Sequence, residues 1–190
     1  MAKQNKTIQI KNMCCRRCIL MVTDILEKRS LHVQSVRLGK AVFTGNIDYK
    51  LLDNDLKLIG FERIIDPEII LTETIRNTLF EFINNIEEHT ENNSNLIKLV
   101  EHKTKITFRQ ANLVFIKHRN TTIEKYFILL KIEKVKALIE EGQLNFNEIA
   151  EKLEYKAYQH LAAQFKKNTS KTMSSFKKSN HKNRKPFDEI

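Results

Sequence analysis

Cys14, Cys15 and Cys18 are the only cysteines in the 190-residue chain, and they fall within five consecutive positions. Cys15 and Cys18 form a CxxC. At the start of a helix this spacing lets both sulfurs converge on one soft metal ion or meet one oxidant. The positive end of the helix and the neighbouring Arg16 and Arg17 both favour the thiolate, the form that ligates and reacts. Two thiolates suit Cu(I), which accepts few soft ligands, better than structural Zn(II), which takes four. His32, His89, His102, His118, His160 and His181 are scattered without ligand spacing. Adjacent Cys14 and Cys15 make a poor disulfide framework, and three clustered thiols suit a reducing compartment. Together with the lack of a secretion signal at the N-terminus, this predicts a cytoplasmic protein. No Ser/His/Asp set, paired carboxylate motif or phosphate-cradling loop is visible, and 4 glycines leave little to build one from. The chain is not expected to be an enzyme.

The charge is unevenly distributed. Residues 1–66 hold 12 basic against 7 acidic residues, residues 67–103 hold 3 against 7, and residues 104–190 hold 18 against 9. The net charge of +10 therefore resides mainly at the C-terminal side, which favours a polyanionic partner over a neutral ligand. No apolar run approaches the roughly 20 residues of a membrane-spanning helix, so no membrane partner is expected.

The elements that must position these groups follow from periodicity. Thr7 to Lys11 alternates like a half-buried strand, and Cys18, Leu20, Met21, Val22, Ile25 and Leu26 then recur at helical spacing. Leu31 to Leu38 is strand-like, and Gly39-Lys40 offers a turn into Ala41 to Thr44. Asp48 is placed to cap a helix through Leu51, Leu52, Leu56 and Ile59, Gly60 to end it, and Phe61 to Ile65 to form a last strand. The order βαββαβ predicts a ferredoxin-like α+β domain over residues 1–66, an antiparallel sheet with two helices on one face.

Past Pro67 only helices are predicted. A connector helix occupies 67–93, running from Ile69 to Ile86. An all-α double helix-turn-helix domain follows over 94–178, with helices near Asn95 to Lys103, Phe108 to His118, Thr122 to Glu141, Phe146 to Leu153, Tyr158 to Lys167 and Ser174 to Lys178. In the long helix Lys125, Lys131 and Lys134 are expected on a solvated face, and Glu133 in a salt bridge. Residues 179–190 form a basic tail.

Two family resemblances add to this pattern. Met13-Cys14-Cys15-Arg16-Arg17-Cys18, between a strand and a helix, resembles the MxCxxC loop of heavy-metal-associated domains. The resemblance covers the first third of the chain and implies soft-metal ligation by Cys15 and Cys18, with Cys14 at the variable position and Asn12 where a glycine is usual. The second rests on Thr121 to Ile128, Lys131 to Lys136, Leu144 to Leu153, His160-Leu161, Gln164 to Lys167 and Phe176 to Lys178, which are similar to the AraC-type (AraC/XylS) DNA-binding domain. That family joins two helix-turn-helix units by a long helix, each unit presenting a recognition helix to the major groove. Glu154 stands where the second turn usually has glycine, Met173 where a proline precedes the last helix, and Ala111 where the first unit usually has leucine.

The resemblance implies a sequence-specific transcription regulator that binds double-stranded DNA as a monomer or homodimer and responds to a soft metal. In the second unit Tyr158, Gln159, His160 and Ala163 are expected outward, with Gln159 matched to adenine and His160 to guanine. Arg109 and Asn112 take the corresponding places in the first unit, while Lys166, Lys167, Lys177 and Lys178 are expected on phosphates. The alternative is a metal-carrying or thiol-redox protein whose helical part binds another protein.

Overall fold

A computed structural model describes residues 5–85 and 96–179. The expected connector from Ile86 to residue 93 and the expected tail past Ser179 lie outside the described residues. The fold is mixed α+β, with a four-stranded antiparallel sheet followed by a helical body.

Strand β1 (Lys6–Lys11) alternates its side chains, so Ile8 and Ile10 turn inward together. It pairs antiparallel with β3 (Lys40–Thr44) on one side and with β4 (Glu62–Ile64) on the other, while β2 (His32–Arg37) pairs with β3. The sheet order is β2-β3-β1-β4. Helix α1 (Arg16–Lys28) sends Cys18, Val22 and Leu26 onto the sheet at four-residue spacing, and α2 (Tyr49–Leu58) adds Leu52 and Leu56. These side chains meet Ile8, Ile10, Ala41 and Phe43 in one apolar core, burial that supplies most of this unit's stability. The Asp48 carboxylate accepts from the Lys50 and Leu51 N–H groups and starts α2; Gly60, at φ +82°, turns the chain out of it.

The helical body comprises α3 (Pro67–Asn84), α4 (Leu96–Thr104), α5 (Phe108–Arg119), α6 (Ile123–Glu141), α7 (Phe146–Lys152), α8 (Tyr158–Thr169) and α9 (Met173–Lys178). Its starts are written in the sequence. Asp66 caps α3 ahead of Pro67, Thr107 with Gln110 and Asn145 with Glu148 close capping boxes on α5 and α7, and Thr122 and Thr172 cap α6 and α9. Helix α6 is the rod between two cores. Its first half gives Ile123, Tyr126 and Leu130 to a core with Ile75, Leu79, Phe80 and Ile83 of α3, Val100 of α4, and Ala111 and Phe115 of α5. Its second half gives Ile132, Val135, Leu138 and Ile139 to a core with Ile149, Leu161, Phe165, Met173 and Phe176. Thus α3, expected as a connector, is a wall of the first helical core.

A buried ionic group ties α3 to α6. Arg76, 1% exposed, donates from Nη1 to Glu73 at 2.8 Å and from Nε to the Tyr126 hydroxyl at 3.2 Å. On α6, Glu133 pairs with Lys136 at 2.6 Å, as a salt-bridge role requires. Lys131 is a correction to the expected solvated face. It lies half-buried between the Phe127 and Tyr155 rings, each centroid 5.1 Å away, and its Nζ donates to the Leu153 carbonyl at 2.8 Å. The turn after α7 folds back on α6 and presents that carbonyl, and burial pulls the Lys131 pKa down.

Glu154 occupies that turn at φ +57°. The left-handed region costs a residue with a Cβ about 1–2 kcal/mol, against the roughly 0.5–1 kcal/mol of extra chain entropy that glycine loses on folding. Glu154→Gly is therefore expected to stabilise the fold by up to about 1 kcal/mol, read as a rise in the urea midpoint. A lower midpoint would show that the glutamate contributes more through its field on Lys131 than it costs in backbone strain.

Candidate functional site

The thiol loop is built by the end of β1 and the start of α1. Asn12 adopts φ +72° in place of the glycine usual there; asparagine tolerates this conformation, and its Nδ2 donates to the Gly60 carbonyl at 3.0 Å. Met13, fully buried, anchors the loop in the sheet core. Cys15 is the N-cap of α1, and the Cys18 N–H donates to its carbonyl at 3.1 Å, closing the first turn. The Cys15 and Cys18 sulfurs lie 3.5 Å apart, and Cys14 Sγ lies 3.9 Å from Cys18 Sγ. All three fall within 4.8 Å of one another, and among the described residues no histidine or carboxylate joins them.

This donor set fits a soft ion. Metal–sulfur bonds of about 2.3 Å, in tetrahedral or trigonal geometry, place ligating sulfurs about 3.8–4.0 Å apart. The three thiols stand near that spacing already. The CxxC template left Cys14 at a variable position; its four-residue offset from Cys18 was the signal that could have included it.

The three thiols differ in access: Cys15 is exposed, Cys14 half-buried and Cys18 buried. Burial pushes the Cys15 thiol up, but hydrogen bonding to its sulfur from the Cys18 backbone and side chain, the Arg17 backbone and Cys14 outweighs it, and the net pKa lies below the usual cysteine value. Iodoacetamide is expected to modify Cys15 first and Cys18 last, with the Cys15 rate rising through a midpoint below that of a free cysteine. Peptide mass mapping against pH reads both. Equal rates at the three positions would contradict the difference in access.

A second set of exposed groups lies on α8. Leu161 and Phe165 face the core, and Gln159, His160, Ala163, Lys166 and Lys167 form the exposed row on the other side. Lys177 and Lys178 are exposed at the end of α9. Tyr158 departs from its expected outward placement: it is half-buried and stacks on Phe146, ring centroids 6.1 Å apart and nearly parallel at 4°.

On α5, Arg109 is exposed as expected, whereas Asn112 is corrected inward. Its Oδ1 accepts from the Ile123 N–H at 2.9 Å, satisfying an otherwise orphan donor at the start of α6. The outward row on α5 is Arg109, Leu113 and Ile116, with Leu113 62% exposed. Leu113 was not singled out in the sequence; its phase, opposite Ala111 and Phe115, is the signal that marks it.

No protein-family model and no curated protein matches the sequence. Among solved structures, the chain is similar to the xylose-binding transcription activator XylR at 20% identity and a TM-score of 0.44, covering 60% of this chain and 27% of that one. It is also similar to the transcriptional regulator CdpR from Pseudomonas aeruginosa at 12% identity and a TM-score of 0.44, covering 85% of this chain and 61% of that one. The chain thus spans about a quarter of the length of the first and three-fifths of the second. Among the described residues no helix is long and apolar enough to cross a membrane.

Proposed function

We propose that this chain is a sequence-specific DNA-binding transcription regulator of the AraC type, in which a ferredoxin-like, heavy-metal-associated-like N-terminal domain makes the response depend on a soft metal ion held by Cys15 and Cys18. The observation that carries this is the pairing of short helices at both ends of α6, α4 with α5 and α7 with α8, each pair leaving an outward row on its second helix. Helix α6 has 19 residues, about 28 Å at about 1.5 Å per residue. That length is comparable to the roughly 34 Å of one duplex turn, so both second helices can address one side of the duplex in successive major-groove segments.

Within this arrangement Gln159 and His160 read base edges, Arg109 reads guanine, and Leu113 and Ala163 offer apolar contact to thymine methyl groups. Lys166, Lys167, Lys177 and Lys178 meet phosphates. A bound soft ion would neutralise the thiolates and crosslink the loop to the first turn of α1. Cu(I) suits a site of sulfurs alone better than Zn(II) does. The regulator acts in the cytoplasm, as a monomer or homodimer.

Footprinting on genomic fragments tests this, with and without Cu(I), using wild type and Cys15→Ser/Cys18→Ser. Discrete protected segments that change with the metal in wild type and not in the variant are expected. Protection indifferent to both metal and mutation would remove the sensing function and leave the DNA reader; no protection at any salt concentration would remove the reader.

A further inference from the structure

Resting on the metal-responsive reading above, we propose that Cys14 is the third ligand of the thiol site and the residue through which occupancy is transmitted to the helical body. Two observations converge on it. The first is geometric: its sulfur lies 3.9 Å from Cys18 Sγ, and its backbone N–H donates to that same sulfur at 3.5 Å, so Cys14 already faces the centre of the cluster. The second is its place in the packing. Cys14 packs against the sheet-domain core with Met13 and Cys18, and also against the core built by α3, α5 and α6. Among the described residues it is the only one belonging to both groups.

The sulfur changes character when an ion arrives. As a thiol, Cys14 behaves as a small apolar group whose contacts hold the loop against the helical core. As a ligand it becomes a metal-bound thiolate close to its present position, while Met13 and Asn12 keep the loop backbone fixed, so a polar metal–sulfur group replaces an apolar thiol against the helical core. Each ligating thiol gives its proton to solvent and its electron pair to the ion, and no electron is transferred. The contact with the core shared by α3, α4, α5 and α6 therefore differs between the empty and occupied states, the differential interaction that any shift in DNA affinity requires. Ala111 and Phe115, which belong to that core, lie on the same helix as the outward Arg109 and Leu113.

The test uses Cd(II), whose thiolate charge-transfer absorbance grows with the number of sulfur ligands, on the full chain. Amide hydrogen exchange over α3 and α5 is measured in the same samples. Wild type is expected to show a three-thiolate band and altered exchange in both helices. Cys14→Val keeps apolar volume at the interface; it is expected to retain Cd(II) at Cys15 and Cys18 with about one-third less absorbance and to lose the exchange response. Cys14→Ala is the second variant should valine overpack the site, and the wild-type band by itself distinguishes three sulfurs from two.

A two-sulfur band in wild type, or a Cys14→Val protein with unchanged absorbance and exchange response, would overturn the role of Cys14 and leave metal sensing by Cys15 and Cys18 in place. No thiolate band in wild type would instead overturn metal sensing as a whole.

Discussion

Arg76→Ala is expected to destabilise the helical body by about 3–5 kcal/mol, because it leaves the Glu73 carboxylate buried without its partner. Glu73 is 4% exposed, and the ion pair at 2.8 Å is its route to compensation. The variant also removes the donor on the Tyr126 hydroxyl and the guanidinium over the Phe80 ring, whose centroid lies 5.0 Å from Arg76 Cζ. Urea unfolding followed by circular dichroism reads the loss. The double variant Arg76→Met/Glu73→Leu is expected to recover most of it, since the pair contributes little net stability once both charges are gone. Among the described residues Arg76 Nη2 has no hydrogen-bond partner. A single-variant loss below about 1 kcal/mol would mean that the site admits water and the charges are not desolvated.

The second large effect concerns DNA. Replacing Lys166, Lys167, Lys177 and Lys178 together by alanine is expected to reduce the slope of log affinity against log salt by up to about 3.6, at about 0.9 per neutralised phosphate. At moderate salt this weakens binding by about two to three orders of magnitude on any sequence. Gln159→Ala and His160→Ala should behave in the opposite way: the slope stays and discrimination falls by about 1–3 kcal/mol for each base read. Fluorescence anisotropy over a salt series, on operator and scrambled duplexes, separates the two patterns. An unchanged slope in the lysine variant would remove these four side chains from the phosphate contacts.

What the sequence shows by itself is mostly local. The helix start at Asp48 is decided within four residues and could be read from the chain; the capping boxes of Thr107 with Gln110 and Asn145 with Glu148 are as local, though the apolar periodicity alone did not single them out. Strand alternation at Ile8 and Ile10 was legible for the same reason. Lys131, Asn112 and Tyr158 were misplaced because their surroundings come from elsewhere in the chain. Lys131 meets a carbonyl 22 residues away, Asn112 an amide 11 residues away, and Tyr158 the ring of Phe146 on the preceding helix. Of the thiol site, Cys15 and Cys18 were visible as a spacing. Cys14 showed only its four-residue offset from Cys18, and its packing against the first helical core, built from residues more than fifty positions later in the chain, was not visible. Asn12 shows how a departure from a familiar pattern can be harmless: its side chain both tolerates the left-handed backbone and ties it to Gly60.

Helix α6 lends its two halves to separate cores, and this fixes the phase between its ends. One residue inserted near its middle would rotate one end against the other by about 100° and advance it by about 1.5 Å. Phe127 packs against both cores and α3 gives Phe82 to the second, so such an insertion would strain the packing between the halves as well as turn the two outward rows apart. Length and angular register in this one helix are therefore inherited together, and the spacing of the two outward rows can change without altering their relative direction only in steps of about a whole helical turn.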